Sequence, residues 1–344
     1  MGIILILGFF LRLLTIFVFK NIDNYDIQSY YLVGKSIFEG IKIYPDIAKL
    51  HHPYLPFFLY IEYFAYIIGK NKLIISIIIR FVNTFFDIGN IYLIYLLSKS
   101  YKKAFLYAIN PISILIFCLH GQFDAIPIFF LLLTIYFLQT KKQFISMIFY
   151  SLAILIKTWP ILFMFLFLKR LKNRIYIFLA LLFPVISILV FSILFKNSFI
   201  NILKTILGYQ SVWGVWGWSI LLQTLRFRYQ KIMIFLFLIV FYLISYLKNN
   251  KDIKKEILFL LIIFIIFSPT FSIQYFSWII PFFILNFKRQ YIFPIFLITF
   301  YLIFNYASWV INIKMFYFNL ISFVFWFILA INFLKIYFEK KLLS

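Results

Sequence analysis

Residues 140–174, TKKQFISMIFYSLAILIKTWPILFMFLFLKRLKNR, set two basic clusters around an apolar run. The clusters are Lys141-Lys142 and Lys169-Arg170-Lys172-Arg174, and the run extends from 144 to 168. Lys and Arg beside membrane spans are held on the cytoplasmic side, so both ends of the run belong to one face. The run must therefore go in and come back. About 12 residues per leg at 1.5 Å each reach only about 18 Å. The turn at Lys157-Thr158-Trp159-Pro160 is expected below the far surface. Non-helical backbone at that depth is tolerated only where it lines protein or a wet cavity.

The same logic runs outward along the chain. Its 344 residues are 65% hydrophobic and 24% aromatic, too apolar for a water-soluble domain. Apolar runs near 20 residues recur from end to end, the length that crosses a bilayer. Six clusters, at 98–103, 140–143, 169–174, 248–256, 288–290 and 335–344, hold more than half of the 33 basic residues. The net charge of +23 thus follows membrane topology, and nucleic acid is not expected as a partner. The expectation is an all-α polytopic protein of about 11–13 transmembrane helices, beginning with a retained span at 2–19. One membrane domain is read over 1–344: a first extracytoplasmic loop with juxtamembrane helices at 20–72, a central transmembrane module with a cavity at 73–230, and C-terminal helices at 231–344.

Two further segments are constrained by charge. Residues 53–69 look apolar enough to span, but a crossing there would put Lys99, Lys102 and Lys103 outside. They are expected as a helix against the outer leaflet, with Glu62 facing water or the cavity. Residues 257–287 lie between cytoplasmic clusters, so a second shallow turn is expected near Pro269–Tyr275, opening on the same outward cavity. Trp213, Trp216 and Trp218 read as interfacial anchors in an outer loop. The single cysteine, Cys118, rules out an internal disulfide and a Cys metal site.

Acidic residues are few and placed early. Of ten, seven fall in the first 124 residues: Asp23, Asp26, Glu39, Asp46, Glu62, Asp87 and Asp124. Carboxylates in or against a bilayer are costly and usually mark function. Asp23, Glu39 and Asp46 read as solvated loop charges. Arg80 and Asp87 share a helix face and read as structural partners of other spans. Lys157, at a buried turn, requires an anion. His120, Gln122 and Asp124 flank Gly121 in a tight turn. His51-His52 lacks zinc-site spacing.

Asp26 stands apart because of its downstream neighbours: Tyr30 one helical turn on, then Gly40, Tyr44-Pro45 and His51-His52-Pro53-Tyr54-Leu55-Pro56. With NPISILIFCLHGQFDAIP at 110–127, LIKTWP at 155–160, SVWGVWGW at 211–218 and SPTFSIQYFSWIIP at 268–281, this ordered set resembles the GT-C superfamily of integral-membrane glycosyltransferases over roughly residues 5–285. The nearest resemblance is to polyprenyl-phosphate-mannose-dependent mannosyltransferases, through Gln274–Trp278. The resemblance implies a GT-C-like bundle in the plasma membrane, with its active site on the extracytoplasmic side. It implies transfer of a hexose, mannose by preference, from a polyprenyl-phosphate donor to a lipid or glycan acceptor, by inversion with Asp26 as base. Tyr30, His52, His120, Gln122, Asp124, Lys157, Gln274, Tyr275 and Trp278 are the expected substrate-binding residues, Lys157 on the lipid phosphate. A divalent ion, Mg or Mn, is left open as a cofactor, although 20–72 offers no paired acids beyond Asp23 and Asp26. The rival readings are a flippase of lipid-linked sugars, which a repeat-free chain with its acids crowded early disfavours, and a surface-polysaccharide ligase or polymerase, whose large loop should come late.

Overall fold

A computed structural model describes residues 1–209 and 211–342, and the chain is predominantly helical throughout. It separates into two compact units, Met1–Tyr209 and Gln210–Ser344. Among the described residues, five helical stretches are long and apolar enough to cross a bilayer: Lys72–Ser98, Arg174–Leu194, Gln230–Leu247, Arg289–Ile311 and Met315–Ile336. The pair Tyr101–Ala108 and Pro111–His120, bent by 42°, makes a sixth if taken as one span. Six other apolar helices run 10–17 residues, short of the length a straight crossing needs. This is the make-up of an all-α, multi-pass membrane protein.

The first unit runs α1 (Gly2–Val18), α2 (Tyr25–Phe38), α3 (Asp46–His51), α4 (Phe57–Gly69), α5 (Lys72–Ser98), α6 (Tyr101–Ala108), α7 (Pro111–Ile114), α8 (Ala125–Gln139), α9 (Gln143–Ile156), α10 (Met164–Arg170), α11 (Leu182–Leu194) and α12 (Phe199–Gly208). Local chemistry starts several of them. Asn24 caps α2 by accepting from the Ile27 N–H at 3.0 Å, Asn71 caps α5 at Ile74, and Asn110 caps α7 ahead of Pro111. Each cap satisfies a backbone donor that helix geometry leaves over. Between α7 and α8 a π-helical turn, Leu115–His120, ends at Gly121 with φ +91°. A side chain rarely adopts that conformation.

The hairpin expected over 144–168 is present. α9 ends at Lys157, whose backbone is extended (φ −151°, ψ 137°), and Trp159–Phe163 form a 3₁₀ turn into α10. The legs lie side by side: the Tyr150 and Phe167 rings are 4.6 Å apart, and Tyr150 Oη donates to the Pro160 carbonyl at 2.8 Å. The mouth is closed by Gln143, whose Oε1 accepts from the N–H groups of Lys172 at 3.1 Å and Asn173 at 3.4 Å.

The helix expected over 53–69 forms as α4, but Glu62 faces neither water nor an open cavity. Gly34 lets α2 approach so closely that a Cβ there would meet the Glu62 carbonyl at 2.5 Å. This covers the Glu62 face, and the buried carboxylate takes His52 as its partner, Nδ1 lying 3.1 Å from Oε2. Arg80 and Asp87 do bind other elements. Asp87 pairs with Arg12 at 2.6 Å, both fully buried, and accepts from Tyr107 at 2.7 Å. Arg80 donates to three carbonyls, at Phe19, Ile22 and Leu119.

The second unit runs α13 (Trp218–Thr224), α14 (Gln230–Leu247), α15 (Ile253–Phe267), α16 (Tyr275–Leu285), α17 (Ile292–Ile311) and α18 (Met315–Leu342), with an antiparallel pair of short strands, β1 (Val212–Trp213) and β2 (Thr270–Phe271). The expected turn between α15 and α16 is present: Trp278 returns to within 5.6 Å of Phe264, ring to ring. Trp216 corrects the anchoring expectation. Trp216 is buried, and the indoles of Trp216, Trp326 and Trp218 donate to the carbonyls of Ile265, Ile266 and Phe267. They satisfy the acceptors left over at the C-terminal end of α15.

Candidate functional site

Asp26 occupies the first turn of α2, where its negative charge suits the helix N-terminus. Its Oδ2 accepts from His120 Nε2 at 2.6 Å and from Gln122 Nε2 at 2.6 Å. The first contact places the imidazole proton on Nε2. Oδ1 makes no hydrogen bond among the described residues, and the side chain is 30% exposed. One carboxylate oxygen is thus clamped by two donors, and the other takes none among the described residues.

Gln122 continues the chain of contacts. Its Oε1 accepts from Lys157 Nζ at 3.2 Å, and Lys157 Nζ also reaches Asp124 Oδ2 at 2.7 Å. The ammonium lies 4.4 Å from the Phe123 ring centroid and 5.1 Å from that of Tyr54, within cation–π range. The expectation that Lys157 needs an outside anion is corrected by this pairing. Asp124, fully buried at the start of α8, already supplies one.

Backbone support comes from α5. Arg80 and Asn83 lie on its inner face and hold the turn that carries His120 and Gln122. Asn83 Nδ2 donates to the carbonyls of Gly121 at 3.2 Å and Gln122 at 2.9 Å, and Arg80 to Leu119 at 2.7 Å. Asn24 ties α2 to the same turn, donating to the His120 carbonyl at 2.8 Å. The site thus takes in Asn24, Tyr54 and Asn83, for which the sequence predicted no site role. The signal for Asn83 was its place on one helical face with Arg80 and Asp87; that for Asn24 was its cap position two residues before Asp26.

Burial by itself would raise the Asp26 carboxyl. The hydrogen bond and charge of His120, the charge of Lys157 and the Gln122 amide outweigh it and hold the group below the usual aspartate value. Tyr30, one turn along α2, is buried between the Phe58 and Phe123 rings, and its Oη has no hydrogen-bond partner among the described residues. Burial, then the nearby carboxylates Asp26, Glu62 and Asp124, push that hydroxyl well above the ordinary phenol range.

Five expected site residues therefore meet in one network: Asp26, His120, Gln122, Asp124 and Lys157, with Tyr30 packed beside it. His52 does not join. It is fully buried, bonded to Glu62 and facing the Leu55 carbonyl at 3.3 Å, with Phe58 stacked between it and Phe123. Gln274, Tyr275 and Trp278 belong to the second unit. Gln274 Oε1 accepts from Ser272, Tyr275 Oη bonds Ser211 at 2.9 Å, and Trp278 is buried against Tyr275, ring centroids 4.2 Å apart.

Asp23 is committed to Lys72 and Gln28 and Asp26 to His120 and Gln122. Among the described residues no three His, Cys, Asp or Glu side chains come together as metal ligands. No protein-family model, no curated protein and no solved structure matches the chain.

Proposed function

We propose that the protein is a membrane glycosyltransferase that moves a hexose from a polyprenyl-phosphate carrier to a hydroxyl acceptor at the extracytoplasmic face. The observation that carries this reading is the two-sided Asp26 carboxylate. Oδ2 is immobilised by two donors while Oδ1 makes no hydrogen bond among the described residues, in a side chain that stays 30% exposed, the arrangement a positioned general base requires. The acceptor oxygen forms a bond to the anomeric carbon and gives its proton to Asp26 Oδ1. The bond from that carbon to the phosphate oxygen breaks, and polyprenyl phosphate leaves with the electron pair, inverting the anomeric centre.

Lys157 has three N–H donors, two of them used by Gln122 and Asp124. The third is the one a donor phosphate oxygen would accept; with Asp124 already balancing the ammonium's charge, Lys157 would serve the leaving phosphate as a positioned hydrogen-bond donor. A membrane-embedded frame without a Gly-rich nucleotide loop agrees with a lipid-borne donor. The test is to offer purified full-length protein a polyprenyl-phosphate hexose or the matching nucleotide-sugar, each with a panel of lipid and glycan alcohols. Mass-spectrometric detection of glycosylated alcohol and released polyprenyl phosphate only with the lipid donor is the expected result. Transfer from the nucleotide-sugar, or none from either donor, would count against the reading.

A further inference from the structure

Closing the 143–173 hairpin does more than carry Lys157 inward. It merges two basic clusters that lie far apart in sequence. Gln143 holds the backbone of Lys172 and Asn173, and Phe144 meets Tyr176 edge-on at 5.9 Å. Lys141 and Lys142 are thereby brought to Lys172 and Arg174, and all four are exposed. Negative charge is scarce around them. Residues 125–251 contain no Asp or Glu. Among the described residues the ion pairs of this unit use Arg12, Lys35, His52, Lys72, His120 and Lys157, and none of these four.

The surface next to the patch is apolar. Ile175, directly after Arg174, is 63% exposed and Phe178, about one turn on, 74%, both on an apolar stretch long enough to cross a bilayer. A free anion has no use for such neighbours, whereas a phospholipid carries its charge directly above acyl chains. We propose that the mouth of this hairpin is a headgroup site for anionic phospholipid, assembled by Gln143 and composed of Lys141, Lys142, Lys172 and Arg174. Like charges gathered at one point repel, so the bound lipid also favours the closed hairpin. The proposal stands independently of the glycosyltransferase reading.

The test uses full-length protein in mixed micelles. Retained phosphatidylglycerol and phosphatidylcholine are counted by native mass spectrometry. Wild type is expected to retain phosphatidylglycerol preferentially, with the preference falling about fivefold per charge removed in Lys141→Gln, Lys142→Gln, Lys172→Gln and Arg174→Gln combinations. Gln143→Leu leaves the charge intact but opens the mouth, and should also lower the preference. It keeps the proposal testable if the neutralised variants fold poorly. Neutralising Lys248, Lys251, Lys254 and Lys255 instead should cost less. Equal retention of the two lipids, equal loss from the 248–255 control, an unchanged preference in Gln143→Leu, or displacement of the lipid by millimolar inorganic phosphate would each overturn it.

Discussion

Gln122 donates its side-chain amide to Asp26 Oδ2 at 2.6 Å across 96 residues of sequence, and the same amide accepts from Lys157 at its other end. An amide cannot be reversed there without facing its oxygen to a carboxylate and its NH₂ to an ammonium. Gln122 is therefore held in one orientation and links the Lys157–Asp124 ion pair to the carboxylate proposed as base.

Replacing Gln122 tests that link. Gln122→Leu removes a hydrogen bond to a charged group, about 1.5–3 kcal/mol, and should lower kcat by about 10–100-fold with a smaller change in KM. Gln122→Glu keeps a partner for Lys157 but sets two carboxylates together. It should be at least as damaging, with a higher acidic limb in its pH profile. Equal activity of both variants and wild type would remove Gln122 from the site.

The pH dependence follows from Asp26. Its folded-state pKa is lowered, so the ionised form gives stability that is fully present above the unfolded aspartate value of about 3.9 and is lost as pH falls through the lower folded value. Thermal unfolding of wild type and Asp26→Asn should differ from neutral pH down to about pH 4 and converge below. The acidic limb of kcat/KM should likewise lie below the ordinary aspartate range. It should move up in His120→Ala and Gln122→Leu, which remove groups that hold the charge. A limb that stays in place in both variants would contradict the assignment.

Lys157 and Asp124 form a buried pair, 6% and 0% exposed. Breaking one partner leaves the other charged and desolvated, at a cost of about 3–5 kcal/mol. Lys157→Met and Asp124→Leu should each show that loss in detergent unfolding, and the double variant should recover much of it. Additive losses would mean that the two residues act separately.

The Arg12–Asp87 pair is fully buried in the first unit, and its hydrogen bonds go to Gly8, Ala108, Ser113, Tyr107 and Asn90. Arg12→Leu should destabilise by about 3–5 kcal/mol, and Tyr107→Phe by about 1.5–3 kcal/mol through the lost bond to Asp87. Variants that remain folded should keep the wild-type pH profile, unlike those at His120 and Gln122. An altered acidic limb in Tyr107→Phe would extend the site to this cluster.

The hairpins were legible because charge placement is a sequence-local signal. Lys141-Lys142 and Lys169–Arg174 fix both ends, and residue count fixes the reach. The gathering of Asp26, Gln122 and Lys157 was legible as a list of polar residues in apolar surroundings. Its wiring was not, since the bond from Lys157 to Asp124 depends on how α8 and α9 pack. Glu62 shows the limit most clearly. Periodicity places it on one face of α4, but only the close approach of α2 at Gly34 decides that this face is covered and that His52 turns inward to meet it. Trp216 looked like a membrane anchor because Trp favours interfaces. Its indole serves a carbonyl at the end of α15, a pairing across 49 residues that no local pattern encodes.

The central claim is that Asp26 takes the acceptor proton, and the most direct measurement is a single-turnover time course with Asp26→Asn beside wild type, following donor consumption and glycosylated acceptor together. Wild type should form both products in equal amounts, and Asp26→Asn should be slower by about 10²–10⁴-fold while binding donor normally. Undiminished transfer by Asp26→Asn, or movement of intact lipid-linked sugar across vesicles by wild type with no bond broken, would contradict it.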